Sequence, residues 1–212
     1  MNYSIDLNLF SLTDYAVLLK NQTLLPSRKI LTENINVYFA SLLESGIESV
    51  YAINKALSSP EKMSSLANKS GIPENYLKIL KREIGSLIQK PVLLSEFPGI
   101  DSNLINELTK IGIKTSRDYY EKYTNQSGDS DVSCELLCLS DLVRINGVGA
   151  IAAKTFYEAG YTSIFDVAEA SAEVMLEQIS DVNNEKKYYN ARLGVKDMQF
   201  CIDFARLIIS YT

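Results

Sequence analysis

The chain has 212 residues, 21 basic and 26 acidic side chains, no histidine and a formal charge of −5, with 46% of its residues apolar. A chain of this length buries roughly 70% of its unfolded surface, so it needs no disulfide staples, and its near-average composition excludes extensive disorder. The missing histidine removes Ser-His-Asp triads, Cys-His dyads and mixed Cys/His zinc sites.

The N-terminal stretch lacks a basic start followed by an apolar run, and no segment approaches the ~18 to 20 apolar residues of a membrane span. The three cysteines, Cys134, Cys138 and Cys201, are too few and odd in number for a secreted scaffold. The expectation is a cytoplasmic protein with no membrane partner, in which the sequons at Asn21, Asn68 and Asn125 carry no meaning.

In chain order, Leu12, Tyr15, Ala16 and Leu19 are spaced as one helix face, capped by Ser11 or Thr13 and ended by Pro26. Thr32 is the expected N-cap of a second helix, Asn34 to Leu43, whose apolar positions Ile35, Tyr38, Phe39, Leu42 and Leu43 follow i, i+3, i+4 spacing. Gly46 stops it. The segment Gly46-Ile47-Glu48-Ser49 then recurs as Gly112-Ile113-Lys114-Thr115 and Gly160-Tyr161-Thr162-Ser163. Each predicts a glycine C-cap, an apolar plug between two helices, and a Ser/Thr N-cap opening the next helix.

Ser70-Gly71-Ile72-Pro73-Glu74 opens a helix through Tyr76, Leu77, Leu80 and Ile84, with Pro73 near its first turn. Near the end, Leu193-Gly194-Val195-Lys196-Asp197 opens another, carrying Phe200, Cys201, Phe204 and Leu207. These two helices are expected to close the outer units. Only Asn125 to Ser133 has the composition of a polar loop. Its Asp129 and Asp131 lack the glycine and distant glutamate of a calcium loop.

Leu139 to Ala170 carries the strongest pattern. A helical turn started by Ser140 leads through Leu142, Val143 and Ile145 into Asn146-Gly147-Val148-Gly149, and Ala152, Ala153 and Phe156 continue a second apolar face. The two glycines allow positive φ and close backbone approach, while Val148 points inward. Leu94 to Asp101 repeats the pattern with Asp101 in place of the second glycine, where a negative side chain would oppose a phosphate. The expected fold is all-α, built of tandem helix-turn-helix units without a substantial sheet. Its expected divisions are an N-terminal helical unit over 1–90, a middle unit with its polar loop over 91–131, and a C-terminal unit over 132–212.

The spacing h-x-Gly-h-Gly at Ile145 to Gly149 resembles the helix-hairpin-helix motif, and the order of parts resembles a mainly bacterial family of such repeats known only as a domain of unknown function, DUF4332. The resemblance is carried by "DLVRINGVG" from Asp141, "VNNEKK" from Val182 and "ANKSGIPENYLKILKREI" from Ala67. It implies a fold related to DNA-binding hairpin domains and supplies no catalytic residues, cofactor or ligand.

In helix-hairpin-helix proteins, hairpin N–H groups and the following helix N-terminus grip a phosphate. Transferred here, that use falls on Asn146, Gly147, Val148 and Gly149, with Lys154 one turn beyond. Against it, Val132 to Asn184 holds Arg144 and Lys154 but eight carboxylates. The best basic patch is elsewhere: Lys78, Lys81 and Arg82 share one side of a helix in a segment that also holds Lys69 and Lys90. The plain alternative there is a solvated face.

Cys134 and Cys138 stand at i, i+4, but Cys201 leaves too few soft ligands for a metal. Of the tyrosine pairs Tyr119-Tyr120 and Tyr188-Tyr189, one ring each is expected in the core and one half-exposed. The residues support two functions: a non-enzymatic module, without cofactor, that contacts DNA or RNA backbone weakly through Asn146 to Gly149 and Lys154, or a protein-interaction scaffold using the hairpin structurally.

Overall fold

The computed structural model describes residues 2–22, 24–124 and 133–212. The expected polar loop, with Asp129 and Asp131, lies outside these residues except for Ser133. The fold is all-α, with twelve α-helices and two short 3-10 turns among the described residues and no strand beyond two isolated bridges. No helix is long and apolar enough to cross a membrane. The chain forms two compact units. One is Asp6–Ile88 together with Tyr211, and the other comprises the remaining described residues, so the middle and C-terminal hairpin segments share a unit.

The first unit begins with α1, Leu12–Asn21, capped by Ser11, whose Oγ accepts from the Asp14 N–H at 3.0 Å. Pro26 does not end this helix, which stops at Asn21; it opens a 3-10 turn, Pro26–Thr32, where its fixed φ suits a first helical position. Thr32 does not cap α2, Ile35–Glu44: it ends the 3-10 turn, two residues before the cap position, and its hydroxyl donates to the Lys29 carbonyl at 2.8 Å. Asn34 takes the cap position in the left-handed region at φ 51°, which asparagine tolerates. Next come α3, Val50–Ala56, α4, Pro60–Ser70, and α5, Glu74–Gly85. Leu12, Tyr15, Leu19, Phe39, Leu42, Ile53, Leu77, Leu80 and Ile84 form the core. Glu83 is buried on α5, where Arg28 pairs with its charge and Gln22 Nε2 donates to it at 3.0 Å.

The second unit contains a 3-10 turn at Leu94–Glu96, α6, Ser102–Lys110, α7, Ser116–Tyr123, and α8, Cys134–Leu142. It continues through α9, Ala150–Glu158, α10, Ile164–Glu169, α11, Ala172–Lys186, and α12, Val195–Ser210. Ser140 does not start a helix. Ser133 does, accepting from the Leu136 N–H, and Ser140 lies buried inside α8. α12 packs on α10 and α11, and Arg206 Nε donates to the Ala168 carbonyl at 2.9 Å. Its buried face is Met198, Cys201, Ile202, Phe204, Ala205 and Ile208, while Phe200 is exposed.

The three Gly-h-x-Ser/Thr segments adopt one geometry. Gly46, Gly112 and Gly160 have φ of 82°, 88° and 97°. The next N–H reaches back five residues: Ile47 to the Leu42 carbonyl at 3.1 Å, Ile113 to Leu108 at 2.9 Å and Tyr161 to Phe156 at 3.0 Å. All three plugs are buried. Ser49, Thr115 and Ser163 then accept from Ala52, Asp118 and Asp166 N–H groups, so one helix hands over to the next across five residues.

The first two relays are clamped identically by preceding chain. Leu12 N–H donates to the Glu48 carbonyl and Val50 N–H to Phe10; likewise Leu94 donates to Lys114 and Ser116 to Val92. In the third, the Asp141 carboxylate on α8 supplies the corresponding acceptor, its Oδ2 accepting from Ile164 N–H at 2.9 Å.

Gly160→Ala is expected to destabilise the protein by roughly 1–2 kcal/mol, because an L side chain there is held at positive φ although nothing lies within 4 Å of its Cβ. Urea unfolding checks this; an unchanged midpoint would contradict the relay's dependence on glycine. Thiol labelling should also be ordered. Cys134 is exposed, whereas burial pushes Cys138 up to about 11 and Cys201 up to about 12. Since the thiolate reacts, iodoacetamide at pH 8 should modify Cys134 first and Cys201 only on unfolding, as peptide mass spectrometry would show.

Candidate nucleic-acid interface

Between α8 and α9 the chain turns through Ile145 to Gly149. Val148 N–H donates to the Ile145 carbonyl at 3.0 Å, and both side chains are buried. Gly147 has φ 85°, as the turn requires. Gly149 does not: its φ of −89° and ψ of −178° are ordinary extended backbone, and a Cβ there meets nothing within 4 Å. Its place is the N-cap of α9, which no side chain caps.

The middle hairpin shares the positive-φ glycine but has different chemistry. Gly99 has φ 80°, matching Gly147, and Phe97 is buried like Ile145. Asp101 stands where Gly149 does and accepts from the Asn103 N–H at 3.0 Å, capping α6. This chain's own carboxylate therefore occupies the N-terminal end of α6.

Lys154 lies on α9 with its ammonium paired to Glu135 of α8 and to Glu158 at 3.3 Å. Only 13% of its side chain is exposed. Burial alone would lower its pKa, but hydrogen bonds and attraction from the two carboxylates outweigh this and raise it. Tyr188 Oη donates to Glu158 at 2.9 Å, and the Lys154 Nζ lies 5.6 Å from the Tyr157 ring centroid. The same Nζ lies 3.8 Å from where a Cβ on Gly99 would sit, so the lysine fills the space beside the middle hairpin.

Arg144 is wholly buried. Its Nε donates to the Tyr3 carbonyl at 2.9 Å, Nη2 to the Asn2 carbonyl at 3.0 Å, and Nη1 to both Tyr120 Oη and Asp141. The guanidinium also lies 4.6 Å from the Tyr120 ring centroid. It ties the N-terminal residues to α7 and α8, while Arg117 Nη2 donates to Ser4 Oγ at 2.8 Å. Tyr119 and Tyr120 are consequently both buried, rather than one inside and one outside: Tyr120 serves Arg144, and Tyr119 Oη accepts from the Ser133 N–H at 2.9 Å. Both members of the other pair, Tyr188 and Tyr189, are half-buried.

On α5, in the other unit, Lys78 and Arg82 are exposed and Lys81 half-exposed on one helix side. Lys78 pairs with Glu74 at 3.4 Å with both side chains well solvated. Lys81 Nζ donates to the Ser58 carbonyl at 3.4 Å. Among the described residues no carboxylate lies within 4 Å of the Lys81 or Arg82 cationic groups. The Asp6–Ile88 segment holds nine basic and eight acidic residues, against twelve and eighteen in the rest of the chain.

The structural role of Arg144 was missed in the sequence; the available signal was an arginine inside the apolar run Leu142-Val143-Arg144-Ile145 with Asp141 three residues before it. A buried cation with that many partners is a structural anchor.

These features define a small all-α protein of repeated helix, glycine turn, helix units, whose hairpin charges are satisfied internally. The chain belongs to the family Domain of unknown function (DUF4332), whose model matches residues 98–206, so the Ala67 to Ile84 segment lies outside the match. No curated protein and no solved structure gives a significant match.

Replacing Arg144 by Met leaves Asp141 without its cationic partner and the Tyr3 and Asn2 carbonyls without the arginine donor. Breaking such a buried pair costs about 3–5 kcal/mol. Chemical denaturation of Arg144→Met should show a loss of that order, and a loss below about 1 kcal/mol would contradict the anchoring role.

Proposed function

We propose that this protein is a non-catalytic cytoplasmic module related to helix-hairpin-helix domains that contacts nucleic-acid backbone weakly and without sequence preference. The contact is made by the α5 face, Lys78, Lys81 and Arg82, while Asn146, Gly147, Val148 and Gly149 serve packing. The observation that supports this division is where the cations are spent. Lys154 is neutralised by two carboxylates and Arg144 is interior, whereas Lys81 and Arg82 have no described carboxylate within 4 Å. Phosphate neutralisation by free lysine and arginine is the dominant source of sequence-independent affinity.

The second reading, a protein-interaction scaffold, is favoured by the same capture of Lys154 and by the eight carboxylates between Val132 and Asn184. In that case the basic face is simply solvated.

Titration of the full chain against labelled duplex DNA and single-stranded RNA, at low and then moderate salt, separates them. Binding that weakens with salt, and a slope that falls by about one for each charge removed in Lys78→Gln, Lys81→Gln and Arg82→Gln, supports the first. Gly149→Asp tests the hairpin without disturbing the fold, since the position is extended and open and the aspartate would cap α9 as Asp101 caps α6. It should leave binding unchanged; abolished binding would return the contact to Asn146 through Gly149. Absence of binding at low salt would overturn the nucleic-acid reading and leave the scaffold.

A further inference from the structure

The basic face of α5 continues onto two other helices. Tyr51 and Lys55 stand one turn apart on α3 and are both exposed, Tyr51 at 46%. The Lys55 carbonyl accepts from Ser58 N–H at 3.3 Å. Ser58 itself draws in two ammonium groups from different helices. Lys62 Nζ, from α4, donates to its Oγ at 3.0 Å, and Lys81 Nζ, from α5, to its carbonyl at 3.4 Å. Two cations gathered at one neutral residue repel each other. Among the described residues no carboxylate lies within 4 Å of the charged groups of Lys55, Lys62, Lys81 or Arg82 to relieve them.

Tyr51 to Arg82 contains six basic and two acidic residues. Both acids are engaged locally: Glu61 through a hydrogen bond with Ser59, and Glu74 with Ser64 and Lys78. Of the carboxylates flanking this stretch in sequence, Glu44 and Glu48 are exposed before α3, and Glu83 is buried and paired with Arg28. The surface thus joins an exposed aromatic ring to a row of cations, most of them free of ion pairs.

Resting on the backbone-binding reading above, we propose that this face is a single-strand site: Tyr51 stacks on an unpaired base, and Lys55, Lys62, Lys78, Lys81 and Arg82 neutralise the flanking phosphates. A duplex hides the faces of its bases inside its own stack, so a solvent-exposed ring adds affinity only for a strand whose bases are free. Stacking accepts every base, and lysines act as point charges rather than as base readers, so the site has no sequence preference. An acidic peptide would use the cations and leave the ring idle.

The test is fluorescence anisotropy of the full chain with labelled oligothymidylate, the matching duplex and labelled polyglutamate, at low and moderate salt, with thermal melts confirming that each variant is folded. Oligothymidylate should bind more tightly than duplex. Tyr51→Leu should weaken its binding about 5- to 100-fold, in line with the loss of one stacked base, while leaving duplex binding unchanged, and Tyr51→Phe should retain it. The Lys62→Gln, Lys81→Gln double variant should weaken both nucleic acids and reduce the salt slope by about two. Equal single-strand and duplex affinities, or no effect of Tyr51→Leu, would overturn the single-strand site while leaving backbone binding intact. Polyglutamate binding as tightly as oligothymidylate would assign the face to an acidic peptide instead. Failure of both nucleic acids to bind at low salt would overturn the backbone reading together with this one.

Discussion

Short helices can succeed one another across five residues only if the ends of both are satisfied by the residues of the turn itself. A helix leaves its last carbonyls and its successor's first N–H groups without intrahelical partners, and burying the junction makes each expensive to leave unpaired. Gly46, Gly112 and Gly160 meet this constraint by taking positive φ, which lets the next N–H reach a carbonyl five residues back. The Ser or Thr three residues after each glycine then caps the new helix. The residue between must be apolar, because the same turn drives its side chain into the core.

Much of this was legible because the relay is written in residue types with one dominant physical use. A glycine before an apolar residue, with a hydroxyl three positions on, suits little besides a helix-to-helix junction, and Ile47, Ile113 and Tyr161 are buried as the pattern implies. Sequence patterns failed where two local candidates competed. Thr32 and Asn34 could both precede α2, and the threonine hydroxyl found the Lys29 carbonyl instead. Ser133 and Ser140 could both open α8, and an apolar face starting at Leu136 selected the earlier one. Pro26 is compatible with ending one helix or starting a turn, and it starts the 3-10 turn whose Leu31 is buried in the core.

Side-chain charges were less legible than backbone. Lys154 stands after the hairpin at the spacing a phosphate ligand would need, yet Glu135 comes from another helix and Glu158 from one turn ahead, and both reach it first. Arg144 looks like half of the local positive charge, but its partners Asn2, Tyr3 and Tyr120 lie 24 to 142 residues away in sequence. Long-range pairing of this kind has no periodicity to betray it. A charge count over a segment measures what is present, not what is still available to a ligand.

The two hairpins make the same point about helix ends. Gly99 and Gly147 both take positive φ, and the turns differ in the residue that caps the next helix. At Asp101 the side chain satisfies an N–H of α6 and places its own negative charge on the helix end; at Gly149 the α9 end has no side-chain cap. An uncapped end offers backbone donors, but Lys154, the nearby cation that would reinforce them, is held between two carboxylates. Attraction for a polyanion needs both donors and uncompensated positive charge, because a screened, net-negative surface repels phosphate before short-range hydrogen bonds can form. The N-terminal unit has the opposite arrangement. Its buried carboxylate, Glu83, pairs with Arg28, whereas Lys81 and Arg82 on the same helix have no described carboxylate within 4 Å, so positive charge remains available on this face of α5.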